Sequence, residues 1–171
     1  MKRVIAVSDS HGMTQSLQDA VAIAIRQGKI DVFVFLGDGL EDVEAVKPIL
    51  LAHNPQLQWV AVRGNNDFGH DAPAMEEFTV CGCAFVATHG HLHHVKFSLN
   101  RLSYAARERD AAVALYGHTH ASRLEEAYGV WMVNPGAICN TYSRGSAYAE
   151  ILVDDNGVPR PRLYNWMGAP L

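Results

Sequence analysis

Several side chains of the types that bind metal ions stand directly after apolar runs of this sequence. They are Asp9, His11, Asp38, Asn65, His89, His118 and His120. Four of them form two pairs whose members are separated by one residue, and side chains repeat every second residue along an extended segment. Each pair therefore presents both side chains on one side of the chain. Imidazole together with carboxylate suits Mn, Fe, Ni, Co or Zn, and differs from the oxygen cage of calcium and the sulfur-rich sites of structural zinc.

Seven ligands are more than one four-coordinate ion can use. They suit two ions about 3.5 to 4 Å apart that share a bridging carboxylate, as in two-metal hydrolases. A single histidine after a strand is usually an ordinary surface or core residue, but seven ligand-type residues in this arrangement are not expected by accident. His53 and His70 stand outside the pattern and are expected to be ordinary. The same holds for His91, His93 and His94 unless something more specific is found.

Alternating strands and helices in the first half of the chain would position these residues. The predicted elements are a strand at 3–7, a helix at 13–27, a strand at 31–36, a helix through 43–50 and a strand at 59–62. Consecutive units of this kind build a parallel sheet with helices packed against it, and ligands gather at the carboxyl ends of such strands. We therefore expect the polar clusters after the three strands to converge, although they are far apart in sequence.

The second half reads mostly as strands joined by hairpins. Strands are predicted within 76–80, 83–91, 113–120, 129–136 and 146–157, with one helix near Ser98 to Arg109. Asp155-Asn156-Gly157 is a strong turn signal. A mixed sheet or two packed sheets should result. No internal repeat or linker divides the sequence, so residues 1–171 are expected to form a single domain.

Composition limits the functional classes. The chain has 171 residues, a formal charge of -4 and no low-complexity tract. The apolar run near its amino terminus is too short for a signal peptide or a membrane span. A cytoplasmic location without membrane contact is the expectation. Lys and Arg are scattered without a basic stripe, which makes nucleic acid an unfavourable partner. The apolar run 130–132 could serve a homodimer, although core packing explains it more simply.

The three cysteines are an odd number for a disulfide framework. They are Cys81, Cys83 and Cys139. Cys81 and Cys83 flank one glycine in a predicted hairpin, and buried or half-buried thiols are the main expectation. A metal or redox role for the C-x-C pair is the alternative.

A set of short motifs in a fixed order gives the chain a family resemblance. The motifs are Asp9-Ser10-His11, Gly37-Asp38, Gly64-Asn65-Asn66-Asp67, Thr88-His89-Gly90-His91, Gly117-His118-Thr119-His120 and Asn134-Pro135-Gly136. The sequence resembles the calcineurin-like metallophosphoesterases, and within them the small bacterial and archaeal phosphodiesterase branch, to which the metal-depleted retromer subunit of eukaryotes is also related. The resemblance implies an α/β fold of four layers, a β-sandwich of mixed sheets flanked by helices.

The resemblance also implies a dinuclear centre. One divalent ion would be held by Asp9, His11, Asp38 and His120, and the other by Asn65, His89 and His118 with Asp38 as the bridge. Mn is the first choice for both ions, with Fe, Ni, Co or Zn as alternatives. The expected reaction is attack of a metal-activated water on a small-molecule phosphodiester. A phosphomonoesterase or nucleotidase with the same centre is the runner-up, followed by a protein-binding scaffold without catalysis.

The chain departs from the family pattern at one informative position. Many members of the superfamily have a histidine after the metal-binding asparagine, and together with the next acidic residue it serves as general acid. Here that position is Asn66, and an amide cannot donate a proton at a useful pKa. Asp67, without a histidine partner, is expected to orient Asn66, the turn backbone or a water. His91 is the substitute acid, or else it hydrogen-bonds a metal ligand.

The candidate catalytic residues are thus His91, Asn66 and Asp67. Arg63 and Arg144 are candidate substrate contacts, because a guanidinium matches the oxygens of a phosphate. The Asn134-Pro135-Gly136 turn is expected to shape the floor of the pocket rather than to take part in the chemistry. Ala137 replaces the serine often found after that turn in the family and removes one hydroxyl contact.

Overall fold

This computed structural model describes residues 1–140 and 147–171. These residues form two mixed sheets of five strands each, together with helices. The first half contributes β1 (Lys2–Val7), α1 (Thr14–Arg26), β2 (Val32–Phe35), α2 (Leu40–His53) and β3 (Gln58–Ala61). The second half contributes β4 (Met75–Val80), β5 (Cys83–Thr88), α3 (Asn100–Arg107), β6 (Val113–Tyr116), β7 (Arg123–Ala127), β8 (Val130–Asn134), β9 (Tyr148–Val153) and β10 (Pro159–Tyr164). Short 3₁₀ helices lie at His91–His93 and Ile138–Asn140.

The first sheet has the strand order β10-β9-β1-β2-β3. Its strands β1, β2 and β3 are parallel, as the alternation of strands and helices predicts, and Val4 pairs with Val32 at the start of the register. Strand β9 is antiparallel to both β1 and β10. The predicted turn at 155–157 joins β9 to β10, where Gly157 N–H donates to Asp154 O (2.9 Å).

The second sheet has the strand order β4-β5-β6-β8-β7. Strands β5, β6 and β8 are parallel, while β4 and β7 run antiparallel at the two edges. Sequence reasoning missed β7 and β10. One is rich in charge (RLEEA) and the other holds two prolines (PRPRLY). Both are edge strands, where charge and proline are tolerated because one side of the strand needs no partner.

Four layers result, as the family resemblance implies. Helices α1 and α2 pack on the outer face of the first sheet through one buried apolar cluster. A second cluster fills the space between the two sheets, and a third joins α3 to the outer face of the second sheet. Val130 and Met132 are buried in that third cluster, so core packing accounts for them. Within the described residues, no helix is both long and apolar enough to cross a bilayer.

All three cysteines lie in the described part of the chain, and none forms a disulfide. Cys81 and Cys83 flank Gly82 in the β4–β5 hairpin, as predicted. Cys83 is buried, and burial raises the pKa of its thiol to about 11. A thiol with such a pKa is a poor nucleophile and a poor metal ligand at neutral pH, which favours the structural interpretation of this pair.

Candidate metal centre

The loops that follow the parallel strands meet at one end of the sandwich, and they bring most of the predicted ligands together. The ligand atoms within each of three groups lie within 4.8 Å of one another. The groups are Asp9 with His11 and Asp38, Asp38 with His89 and His118, and His11 with His120 and Cys139. Six of the seven predicted ligands therefore belong to this cluster, and Asp38 belongs to two of its groups.

Asp38 lies between two sets of imidazoles. Its Oδ2 is 3.6 Å from Nε2 of His11 on one side and 3.4 Å from Nε2 of His89 on the other. On the first side, Nε2 of His120 lies 3.2 Å from Nε2 of His11. On the second side, Nδ1 of His118 lies 3.2 Å from Nε2 of His89. The arrangement has two lobes that share one carboxylate oxygen.

The Asp9 carboxylate provides the test of whether cations fit here. Asp9 is fully buried, and its Oδ1 receives no hydrogen bond of good geometry from the described residues. That oxygen faces Nε2 of His120 at 3.1 Å, of His11 at 3.6 Å and of His89 at 3.9 Å. A buried carboxylate oxygen without a donor is unfavourable unless it meets a cation. The residues present therefore fit divalent metal ions.

The backbone of this cluster is held in an unusual conformation. Five of the predicted ligands have positive φ angles: Asp9 (55°), His11 (43°), Asp38 (59°), His118 (68°) and His120 (58°). The left-handed region costs a residue other than glycine about 1–2 kcal/mol, although Asp and His tolerate it better than most. Such conformations persist only where the surrounding structure imposes them.

Asp42 imposes the conformation of the loop after β1. Its buried carboxylate accepts hydrogen bonds from Ser10 Oγ (2.6 Å), Gly12 N–H (2.8 Å) and Thr14 Oγ1 (2.6 Å). This loop carries His11, whose N–H also donates to Asp38 O at 3.0 Å. One carboxylate from α2 thus anchors the start of α1 and the first pair of ligands. Sequence reasoning missed Asp42, which is one of two acidic residues in the first turn of a helix and has no motif of its own.

Asp67 holds the loop after β2, as Asp42 holds the loop after β1. Its carboxylate accepts hydrogen bonds from the backbone N–H groups of Asp38 (2.7 Å), Gly39 (2.8 Å), Leu40 (3.0 Å) and Gly64 (2.7 Å). Burial alone would raise the pKa of Asp67, but these four donors outweigh it and lower the pKa. An ionised carboxylate with both oxygens engaged cannot protonate a leaving group. Of the roles considered for Asp67, the contacts match orientation of the backbone.

Asn66 and Asn65 have different surroundings. Asn66 donates to Asp38 twice, from its backbone N–H to Oδ1 (2.8 Å) and from its side-chain Nδ2 to Oδ2 (2.6 Å). Burial raises the pKa of Asp38, yet hydrogen bonds from His89 and Asn66 prevail and lower it. Asn65 is exposed and lines a cavity beside His91. The loop lies close to Asp38, since a Cβ at Gly64 would be 2.0 Å from Asp38 Oδ1.

The neighbours of His89 and His118 shift the pKa values of these two rings in opposite directions. His89 is fully buried, and its Nδ1 lies 2.7 Å from the carbonyl oxygen of Leu36, so Nδ1–H donates there and Nε2 is left as the ligand atom. Burial lowers the pKa of His89, but Asp38 and Asp9 more than offset it and raise the pKa. Burial and the neighbouring His89 lower the pKa of His118 to about 4, which keeps that ring uncharged.

The Asn134-Pro135-Gly136 turn supports the loop that carries the last pair of ligands. Asn134 is fully buried and donates from Nδ2 to Gly117 O and to Thr119 Oγ1, both at 3.0 Å. Its Oδ1 accepts the N–H of Gly136 (2.8 Å). Just beyond the turn, Sγ of Cys139 lies 3.8 Å from Nδ1 of His120. Sequence reasoning placed the turn at the pocket floor but missed the contact between Cys139 and His120.

The remaining candidates lie at the periphery. The ring centroid of His91 is 5.4 Å from that of His89, and Nδ1 of His91 is buried without a hydrogen-bond partner among the described residues. Arg63 is exposed and donates to Ala72 O at 3.2 Å. Arg144 lies outside the described residues. His53 Nε2 accepts the N–H of Ile30 (3.4 Å) away from the cluster, in line with its ordinary interpretation.

Two cavities flank the ligand cluster. One of about 370 Å³ is lined by His11, Asp38 and Asn66, among others. The other, of about 450 Å³, is lined by Arg63, Asn65 and His91. Both cavities also share Asp67, Phe68 and His70.

Comparison with known families decides what kind of protein carries this site. The sequence profile of the calcineurin-like phosphoesterase superfamily domain matches residues 1–156. The chain belongs to the calcineurin-like phosphoesterase superfamily. Membership and the metal-ligand cluster together make this chain a metal-dependent phosphoesterase.

The relatives of this chain include a protein named as a probable metallophosphoesterase and a protein named for vacuolar sorting. The probable metallophosphoesterase YsnB of Bacillus subtilis is 32% identical over 166 residues, which cover 96% of this chain and 92% of YsnB. Vacuolar protein sorting-associated protein 29 of Schizosaccharomyces pombe is 37% identical over 111 residues, 64% of this chain and 57% of that protein. Among solved structures, a conserved uncharacterized protein of Streptococcus pneumoniae TIGR4, a predicted phosphoesterase, has a TM-score of 0.76 at 25% identity, with 99% of this chain and 92% of that chain covered.

Replacing Asp67 tests the support of the ligand loop. In Asp67→Asn, an amide NH₂ group faces backbone N–H donors that the native carboxylate accepts. The free energy of unfolding at neutral pH, measured by urea denaturation, should therefore fall by about 2 kcal/mol. The pKa of Asp67 is lower in the folded chain than in the unfolded chain. Its stabilisation is therefore complete above about pH 4 and is lost as the pH falls through the folded value.

The stability of Asp67→Asn should accordingly change less than that of the native chain between about pH 7 and pH 3. Asp71→Asn is the matched control, because Asp71 is an exposed carboxylate four residues further along the same segment. Equal stability of Asp67→Asn and the control would contradict the anchoring role.

Proposed function

We propose that this phosphoesterase is a phosphodiesterase with two divalent metal ions, one in each lobe of the ligand cluster. The observation that carries the proposal is the position of Asp38, whose Oδ2 lies between Nε2 of His11 and Nε2 of His89. A carboxylate so placed can bridge two ions. Asp9, His11 and His120 would complete the first site.

The second site would be completed by His89, His118 and Asn65. Asn65 is the least constrained member of this set, since it is exposed at the rim and would turn its amide oxygen inward when the ion is present. Imidazole and carboxylate donors suit Mn, Fe, Ni, Co or Zn, and the family resemblance makes Mn the first choice among them. Ions held here would supply a nucleophile from water near neutral pH and offset the charge of the phosphoryl oxygens.

The two cavities support a diester rather than a monoester substrate. A diester extends two ester groups from its phosphorus atom, and two separate cavities border Asp67, Phe68 and His70 next to the ligand cluster. A monoester would need only one of them. Arg63 lines the second cavity, where its guanidinium can contact an oxygen of the substrate.

Asn66 and His91 give little help in protonating the leaving oxygen. Asn66 has no proton to give, and its side chain is occupied with Asp38. His91 lines the second cavity, and because its Nδ1 is buried, proton transfer would go through Nε2. Burial, together with the nearby His89, lowers the pKa of His91. Its protonated form is therefore the minor one at neutral pH, and the site should favour esters whose leaving groups depart with little help.

A substrate comparison tests the proposed activity. Protein stripped with a chelator should be inactive, and added Mn should restore hydrolysis of bis(p-nitrophenyl) phosphate at a higher kcat/KM than that of p-nitrophenyl phosphate. Asp38→Asn should lower the diester rate by more than a hundredfold, because the bridging carboxylate is lost, whereas Asp19→Asn, an exposed carboxylate on α1, should leave it unchanged.

Faster hydrolysis of the monoester would instead assign a phosphomonoesterase or nucleotidase. Turnover of neither ester with Mn, Fe, Ni, Co or Zn would favour a protein-binding role without catalysis. The similarity to a vacuolar protein sorting-associated protein is what brings that second role into consideration.

The leaving group distinguishes the two roles of His91. If His91 protonates the leaving oxygen, His91→Ala should lose about tenfold in kcat for an aryl diester with a good leaving group and about a hundredfold or more for a poor one. His94→Asn is the matched control, because His94 is exposed and its left-handed backbone (φ 54°) accommodates asparagine. A loss that stays constant across leaving groups would mean that His91 only orients a metal ligand.

A further inference from the structure

Phe68 is an exposed aromatic residue in the middle of the candidate site. Its side chain is 86% exposed, although it directly follows the buried Asp67. Because four backbone N–H groups hold the Asp67 carboxylate, the backbone at Phe68 starts from a fixed point. The exposed ring is therefore carried on an anchored segment rather than on a loose loop tip.

The location of Phe68 distinguishes it from other exposed apolar residues. It lines both cavities, the one with His11 and Asp38 and the one with Arg63 and His91. Single exposed apolar side chains are common on protein surfaces and need no explanation by themselves. Phe97, for example, is 89% exposed and lines a different cavity near α3 that contains none of the predicted ligands. Phe68 is as exposed as Phe97 but borders the ligand cluster.

The ring of Phe68 offers the substrate an apolar planar face, which its polar neighbours do not. The polar residues that line these cavities with Phe68 include His11, Asp38 and Arg63, and none of these has an apolar planar face of comparable size. Nucleobases and aryl groups gain by stacking on such a face, independently of hydrogen bonds to their edges. Because Phe68 lines both cavities, its ring is within reach of a substrate arm that occupies either one.

We propose that Phe68 determines specificity by stacking against a planar aromatic group on one arm of the substrate, which makes nucleoside and aryl phosphodiesters the preferred class. This inference rests on the phosphodiesterase function proposed above. It adds a contact that is not part of the metal centre and not needed for the chemical step. Loss of the ring should consequently weaken binding and raise KM, and should change kcat much less.

Equilibrium binding tests the stacking contact without turnover. AMP and ribose 5-phosphate share the phosphate and the ribose and differ by the base alone, so calorimetry on the Mn-loaded protein isolates the contribution of the base. The native chain should bind AMP about tenfold more tightly than ribose 5-phosphate, the size expected for one base on one aromatic ring. Phe68→Ala should remove this preference, Phe68→Trp should keep it, and Phe97→Ala should leave it unchanged.

Kinetics on bis(p-nitrophenyl) phosphate provide the second readout, with KM expected to rise about tenfold in Phe68→Ala and to stay unchanged in Phe97→Ala. Equal binding of AMP and ribose 5-phosphate by the native chain, or an AMP preference that survives Phe68→Ala, would overturn the inference. If the base preference depends on Phe68 but no diester is hydrolysed, the stacking role stands and the phosphodiesterase proposal fails. If a diester is hydrolysed but no base preference is found, the phosphodiesterase proposal stands and the stacking role fails.

Discussion

The site depends on a backbone constraint. Ligands of the first lobe and the shared Asp38 leave their strands through left-handed turns, which residues other than glycine adopt at a cost of about 1–2 kcal/mol each. Two buried carboxylates outside the ligand set, Asp42 and Asp67, hold the turns after β1 and β2 by accepting hydrogen bonds from those loops, and Asn134 supports the turn after β6. Relaxation of the turns would move the imidazoles and carboxylates apart. The grouping of the candidate ligands and the anchored start of the segment at Phe68 depend on these contacts.

The same arrangement concentrates negative charge where cations are needed. Asp9 and Asp38 are both buried at the cluster, and Oδ1 of Asp9 has no good hydrogen-bond donor among the described residues. Hydrogen bonds from His89 and Asn66 keep Asp38 ionised, while His118 stays uncharged. The chain carries a formal charge of -4, and two divalent ions would offset it locally at this one place. The chemistry of the ligands and the electrostatics of the fold therefore point to the same occupant.

Much of this could be predicted from the sequence, because the ligands stand at the ends of apolar runs and the runs have clear periods. The parallel strands β1, β2 and β3 and the convergence of the loops that carry His11, Asp38 and Asn66 follow from that pattern. The edge strands β7 and β10 could not be predicted, since their charge and prolines hide the alternation that marks a strand. Their pairing depends on neighbours that only the folded sheet supplies.

The supporting contacts were also out of reach of sequence reasoning. Asp42 is an ordinary acidic residue near the start of a helix until the loop after β1 folds over it. Cys139 meets His120 only because the turn at 134–136 brings the two loops together. The sequence marks Asn65, Asn66 and Asp67 as a polar segment after a strand. It does not assign their separate roles, because these depend on the tertiary contacts of each side chain.

The proposed function requires that the two lobes around Asp38 hold two metal ions. Anomalous diffraction from crystals of the Mn-loaded protein tests it most directly. We expect two anomalous peaks about 3.5 to 4 Å apart, with the Asp38 carboxylate in contact with both. A single peak, two peaks of which Asp38 touches only one, or no peak at the ligand cluster would contradict it.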